Sequence, residues 1–242
     1  MNILLIAYSF PPLIDAQSFR WYYLSNALAE LGIRITIITI KHPVEDKTTW
    51  NFHKNIEVFR IYPGPIEFFA LRAKSNIGVG GGENGGLRKS LKFKMMKSSY
   101  WGIRNFVGNL LPGDIKTEWF PFASKFIKEN IDIKKYDHLI TSHEPWVDSL
   151  LGLYLKKRNP NIRWIADFGD PYVAIYTPRH KLRFENYFEK LIYENASVLI
   201  FTNGKIIDHL LNKYHFLKNK KLWVIEQGFS YRLVVGRENI GD

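Results

Sequence analysis

Short runs of β-branched and apolar residues alternate along this 242-residue chain with stretches whose apolar residues recur every three or four positions. Runs of the first kind are typical of buried strands, and stretches of the second kind of amphipathic helices. The predicted strands are 3–7, 33–40, 56–62, 136–142, 163–167, 197–202 and 222–226, and the predicted helices are 18–31, 120–130, 146–157, 181–195 and 205–214. This alternation predicts an α/β fold, a Rossmann-like parallel sheet with helices on both faces.

Composition narrows the classes of protein that the chain can belong to. Its residues are 46% hydrophobic and 15% aromatic, which is enough apolar material for a substantial core. There is no cysteine, which excludes disulfides and thiolate metal sites. The seven histidines show no ligand spacing, so no metal site is expected. No apolar run approaches the roughly 20 residues of a membrane span, and no basic segment precedes the first run, so a cytoplasmic location is expected.

The charge of the chain indicates an anionic partner, since 34 Lys and Arg against 23 Asp and Glu give a net charge of +11. The segment 87–113 has no acidic residue and interleaves cations with aromatic and aliphatic side chains, as interfacial helices on anionic lipid do. The expected membrane contacts are Arg88, Lys89, Lys92, Lys94, Lys97 and Trp101. A helix whose apolar side joins the core is an equal alternative. No nucleic-acid module is recognised, so nucleic acid is not expected as a partner.

A glycine-rich stretch at 78–86 contains a formal G-x-G-x-x-G at Gly80, Gly82 and Gly85. A dinucleotide fingerprint needs a strand directly before these glycines and a helix directly after them. Neither pattern flanks the stretch, so a mobile loop is expected there and no nucleotide cofactor is predicted.

Polar residues follow the ends of several predicted strands. In parallel sheets ligands bind beyond the carboxyl ends of the strands, so a common crevice is expected there. Arg20 suits a phosphate or carboxylate, and His143 suits a hydrogen bond to a sugar or an acceptor hydroxyl with a pKa near neutrality. Asp170, like Asp167, can orient a partner or act as a base. The plainer alternatives are a surface arginine, a capping histidine and turn carboxylates.

Several motifs in a fixed order resemble those of one family. They are Phe10-Pro11-Pro12 with Arg20-Trp21, Leu111-Pro112-Gly113-Asp114 with Trp119, Thr141-Ser142-His143-Glu144-Pro145, the stretch 164–172 (WIADFGDPY), and the strand regions 197–203 and 224–229. Together they resemble the N-terminal, acceptor-side domain of GT-B glycosyltransferases of family 4, group 1 type. The resemblance implies that residues 1–230 form this Rossmann-like half of a GT-B fold, and that 231–242 begin an interdomain linker or tail.

The resemblance also implies a function. It implies a hexosyltransferase of retaining type that transfers a sugar from a nucleotide-sugar donor to a membrane-associated or lipid-linked glycan acceptor, in cell-surface polysaccharide or lipopolysaccharide synthesis. A donor-binding C-terminal domain would be the partner, and association with the inner face of the plasma membrane would be peripheral. His143 and Asp170 are the expected catalytic residues, and the expected substrate-binding residues are Asp15, Gln17, Arg20, Glu144, Asp167 and Asn203. A non-catalytic Rossmann-like binding or membrane-association module is the alternative.

Overall fold

The computed structural model of the chain describes residues 1–43, 50–77, 102, 108, 113–143, 145–169, 173 and 177–226, with only the backbone at 73–77. The strands found there are β1 (Asn2–Ile6), β2 (Arg34–Ile40), β3 (Ile56–Ile61), β4 (His138–Ser142), β5 (Arg163–Phe168), β6 (Val198–Phe201) and β7 (Lys221–Val224). The α-helices there are α1 (Ala16–Glu30), α2 (Pro65–Ile77), α3 (Trp119–Asn130), α4 (Trp146–Arg158), α5 (Arg179–Asn195) and α6 (Gly204–Lys213). Short 3-10 helices lie at Ile115–Glu118, Ile133–Lys135 and His215–Asn219.

The strands form one parallel sheet in the order β3-β2-β1-β4-β5-β6-β7. The chain builds outward from β1 through β2 to β3, then crosses back to β4 on the other side of β1 and builds outward again. The order therefore reverses between β1 and β4. Such a reversal leaves a crevice at the carboxyl ends of the two strands, and this is where open α/β sheets bind their ligands.

Both faces of the central strand β1 are buried. Leu4, Ile6 and Tyr8 point into a larger core that includes residues of α3, α4, α5 and α6. Ile3, Leu5 and Ala7 point into a smaller core that includes Trp21 of α1. Because a strand with helices on both faces needs apolar side chains at every position, the uninterrupted run ILLIA is explained. The predicted α/β class, with helices on both faces, is confirmed.

The sequence pattern does not predict α2. Pro65 is its first residue, where a missing N–H does no harm, and Gly64 before it has a φ of 110°. The Glu118 carboxylate accepts hydrogen bonds from the backbone N–H groups of Ile66 and Glu67, which begin the helix. A carboxylate about fifty positions away thus caps the first turn of the helix.

Some predictions fall on residues that the structure does not describe. The glycine-rich stretch 78–86, the tail 231–242 and nearly all of the basic segment 87–113 lie outside the described residues, including all six expected membrane contacts. Within the described part of the chain, no helix has the length and apolar character needed to cross a bilayer.

Candidate functional site

The first candidate residue, Asp15, follows the turn after β1. The peptide bond between Pro11 and Pro12 is cis, and the Leu13 N–H donates to the Phe10 carbonyl 3.1 Å away. Asp15 then begins α1: its carboxylate accepts from the Ser18 backbone N–H at 2.8 Å. The expected substrate-binding residue Asp15 is therefore the N-cap of α1, and it remains exposed at the carboxyl end of the sheet.

Arg20 and Asp167 contact each other directly. Arg20 Nε and Nη2 donate to the two carboxylate oxygens of Asp167 at 3.0 and 3.1 Å. Two further N–H groups donate to the backbone carbonyls of Ile225 and Glu226. Four of the five guanidinium N–H groups are thus engaged, and the side chains of Arg20 and Asp167 are only 4% and 1% exposed. Burial raises the pKa of Asp167, and the hydrogen bonds and charge of Arg20 oppose that rise.

His143 lies against this pair. Its backbone N–H donates to the Asp167 carbonyl at 2.8 Å, its Nδ1 lies 3.0 Å from the Ser149 hydroxyl, and its ring contacts Phe168. Burial lowers the pKa of His143 to about 3. The expectation that this pKa lies near neutrality is wrong, because the apolar surroundings exclude the water that would stabilise imidazolium. A neutral imidazole can still exchange hydrogen bonds with a hydroxyl group.

Gln17 completes the buried group at the ends of β4 and β5. It is 3% exposed, and its amide nitrogen lies so close to Gly169 that a Cβ there would collide with it. The Thr202 hydroxyl donates to the Gly169 carbonyl at 2.6 Å. Asn203, by contrast, is exposed and caps α6 by accepting from the Lys205 N–H. The structure brings Gln17, Arg20, His143 and Asp167 together, and it leaves Asn203 outside this group.

A cavity of about 470 Å³ opens at the carboxyl ends of β1, β2 and β3. We call it the acid-lined cavity; its polar lining is Tyr8, Ser9, Asp15, His42, Glu67 and Lys116. Lys116 is the only Lys or Arg among the described residues that line it, and its Nζ lies 5.3 Å from the centre of the Tyr8 ring. Cation, carboxylates and hydroxyls together suit a ligand with sugar hydroxyls and an anionic group.

Tyr8, which lines the cavity, is hydrogen-bonded to the buried residue Asp148. The Asp148 carboxylate accepts from the Tyr8 backbone N–H at 2.9 Å, while its second oxygen and the Tyr8 hydroxyl are buried without a hydrogen-bond partner in the described structure. Burial raises the pKa of Asp148 well above its usual range and, helped by Glu67 and other carboxylates, raises that of Tyr8. Burial therefore favours the neutral form of both groups, which can donate a hydrogen bond.

Sequence reasoning predicted a crevice at this end of the sheet and named Asp15, but it missed Glu67 and Lys116. Glu67 lies on the unpredicted helix α2, and Lys116 comes from the 3-10 helix before α3. Gly64 followed by Pro65 is the signal that marks α2. No local pattern marks Lys116, because its neighbours in the cavity come from distant parts of the chain. The candidates Glu144 and Asp170 lie outside the described residues.

A broader depression of about 740 Å³ lies at the opposite, amino-terminal end of the strands, where Lys134, Asp137 and Arg163 line it. It is larger than the acid-lined cavity but lies away from the order reversal between β1 and β4. Because ligands of parallel sheets bind at the carboxyl ends of the strands, we assign the candidate site to the acid-lined cavity and the buried residues beside it.

Comparison with solved structures relates the chain to sucrose-phosphate synthase from Thermosynechococcus elongatus. One structure of that enzyme aligns with a TM-score of 0.61 and 18% identity, covering 96% of this chain and 49% of that chain. The likeness shows the fold. A second structure of the enzyme aligns with a TM-score of 0.51 and 13% identity, covering 98% of this chain and 95% of that one. No protein-family model and no curated protein sequence matches the chain.

The fold is thus the Rossmann-like α/β fold of GT-B glycosyltransferase domains, as the sequence predicts. At this identity the comparison extends to a GT-B-like fold and not to family 4. The chain spans about half the length of the first structure that it matches.

Proposed function

We propose that this chain is the acceptor-binding domain of a GT-B glycosyltransferase of family 4, group 1 type. The observation that carries the proposal is the acid-lined cavity at the carboxyl ends of β1, β2 and β3, in a chain with the fold of a GT-B domain. The acceptor enters this cavity, and the nucleotide-sugar donor binds to a second, C-terminal domain. The reaction is transfer of a hexosyl group with retention, and it needs neither a metal nor a cofactor.

The acceptor in this proposal is a lipid-linked or membrane-associated glycan of cell-surface polysaccharide or lipopolysaccharide synthesis, reached from the inner face of the plasma membrane. Lys116 binds its phosphate, while Asp15 and Glu67 bind sugar hydroxyls. His143, neutral because it is buried, exchanges a hydrogen bond with the transferring sugar, and Asp170 remains the proposed base. Arg20, Gln17 and Asp167 position the wall of the site, and Glu144 and Asn203 remain proposed substrate contacts.

Equilibrium binding of a water-soluble, short-chain polyprenyl diphosphate sugar tests the acceptor site. The wild-type chain is expected to bind it, and Lys116→Gln is expected to weaken binding on the order of tenfold, because a charge-assisted hydrogen bond is lost. Lys134→Gln is the matched control, since Lys134 lines the depression at the opposite end of the sheet. Equal affinity of the Lys116→Gln and Lys134→Gln variants would overturn this assignment.

Calorimetric titration with UDP, GDP and their sugar conjugates tests the proposal that the donor binds to a second domain and not to this chain. No binding to the isolated chain is expected, because the donor site is proposed to lie elsewhere. Clear binding of one nucleotide would show that this chain binds the donor without a second domain. Restored sugar transfer on mixing with a separately purified donor-binding domain would exclude the alternative of a non-catalytic binding module.

A further inference from the structure

Four aromatic side chains form one patch on the surface beside the carboxyl end of β3. They are Tyr62, Phe68, Phe69 and Phe122, and we call them the aromatic patch. The ring centre of Tyr62 lies 5.4 Å from that of Phe68 and 5.2 Å from that of Phe122, and Phe68 lies 6.3 Å from Phe69. Phe69 is 62% exposed, Phe122 38% and Tyr62 37%. A contiguous patch of exposed rings, unlike single exposed rings, marks an interaction surface.

The two sides of α2 differ in what they contact. Glu67, Ala70 and Leu71 are buried, and Glu67 and Leu71 line the acid-lined cavity. Phe69, two positions after Glu67, belongs to the exposed side. One helix therefore carries part of the cavity wall on one side and part of the aromatic patch on the other.

The exposed charges one helical turn from the rings of the aromatic patch are positive, and the half-buried carboxylate of Glu118, one turn before Phe122, is already bonded to the first turn of α2. Arg72 is exposed and lies one helical turn from both Phe68 and Phe69, and exposed Lys125 lies one turn from Phe122. The acid among the described side chains of α2, Glu67, is buried and turned toward the cavity. On α3 the acid is Glu129, two turns away from Phe122. Exposed Phe and Tyr beside Lys and Arg are what an anionic bilayer interface selects.

We propose that the aromatic patch docks on an anionic lipid bilayer, with the rings at the headgroup level and Arg72 and Lys125 against the lipid phosphates. The role of docking in acceptor binding rests on the proposed function. Because the other side of α2 lines the acid-lined cavity, docking holds that cavity beside the lipid surface. The head group of a lipid-linked acceptor then enters the cavity without the lipid chain leaving the bilayer.

Site-specific labelling tests the docking. The chain has no cysteine, so Phe69→Cys provides a single attachment point for an environment-sensitive nitrobenzoxadiazole fluorophore. Leu31→Cys, at the C-cap of α1, is the matched control, because Leu31 is 79% exposed and lies at the amino-terminal end of the strands. On adding vesicles of phosphatidylcholine and phosphatidylglycerol, we expect a blue shift and brightening at position 69 and no change at 31. No shift at 69, or equal shifts at both positions, would overturn the proposal.

Vesicle co-sedimentation provides the second measurement. The Phe69→Ser/Phe122→Ser variant is expected to lower the partition coefficient of the chain on the order of tenfold or more, because the bilayer interface then no longer receives these two exposed rings. Leu31→Ser is expected to leave the partition coefficient unchanged, and vesicles of phosphatidylcholine alone should bind wild type weakly. Unchanged binding of the double variant would contradict the proposal. So would a wild-type dimer in vesicle-free sedimentation equilibrium that the double variant abolishes, since the patch would then bind a second copy.

These vesicles contain neither acceptor nor nucleotide sugar. Failure of docking therefore leaves the proposed acceptor site untouched, and failure of the Lys116→Gln experiment leaves the docking surface untouched.

Discussion

Arg20 and Asp167 lie 147 positions apart in the sequence and pair with each other in the interior. Removal of one partner leaves the other charge buried without its counterpart, and such losses typically amount to about 3–5 kcal/mol. Asp167→Ala is therefore expected to lower the free energy of unfolding in urea at pH 7 by that amount. The double variant Arg20→Met/Asp167→Leu should be more stable than Asp167→Ala, because no charge remains buried.

The exposed ion pair Lys190 and Glu194 is the control for this prediction. Lys190 Nζ lies 3.7 Å from Glu194 Oε1, and the two side chains are 55% and 41% exposed. Glu194→Ala is expected to change the free energy of unfolding by less than about 1 kcal/mol. Similar losses for Asp167→Ala and Glu194→Ala would show that the buried pair contributes no more than a surface pair.

His143 predicts a dependence of stability on pH. Its pKa falls from the ordinary 6.5 to about 3 in the folded chain, so below pH 6.5 the unfolded chain binds a proton that the folded chain does not. The contribution of His143 to the free energy of unfolding should therefore decrease as the pH falls, by about 2–3 kcal/mol between pH 6.5 and 4.5, while the raised pKa values of Asp148 and Asp167 contribute in the opposite direction. In urea titrations across this range, His143→Gln should remove that part of the slope, whereas His209→Gln, at an exposed position, should retain it. Identical slopes for wild type and His143→Gln would refute the assignment.

Helix α4 packs closely against the sheet at Gly152. A Cβ there would lie 2.5 Å from the buried ring of Trp164 and 2.7 Å from a methyl group of Thr141. Gly152→Ala is expected to lower the free energy of unfolding, measured by thermal denaturation, by about 1–3 kcal/mol, because the new methyl group collides with a buried indole ring. This loss should outweigh the higher helix propensity of alanine. Gly204→Ala on α6 is the control, since its nearest new contact would be 4.0 Å away. A stabilised Gly152→Ala variant would show that α4 can shift.

Strands and helices are predicted correctly from the sequence where burial in the core requires apolar residues at regular positions. Each predicted strand and helix is found with its ends within two residues, because burial on two faces or on one helical stripe leaves a local signature. Helix α2 escapes prediction because its first turn is stabilised by Glu118, a contact about fifty positions away. Its outer Phe68 and Phe69 also disturb the apolar stripe on which a helix prediction depends.

At the scale of the whole molecule, the sequence predicts the end of the sheet at which the site lies but not its composition. Strand ends are local features, so Asp15, His143 and Asp167 could be placed at the carboxyl edge. The acid-lined cavity combines residues that follow β1, β2 and β3 with Lys116, and only the packed sheet brings these segments together. The burial that turns Arg20 inward to Asp167 and leaves His143 neutral near pH 7 also depends on tertiary structure.

The position of β1 in the middle of the sheet affects how the chain folds as it is synthesised. Its neighbour β4 begins at His138, and the partner of Arg20 lies further on at Asp167. At roughly 5–20 residues per second, a ribosome needs on the order of ten seconds to make this stretch. During that time β1 has one open edge and α1 has an unpaired guanidinium, so the amino-terminal third must wait for later residues before its own centre is complete.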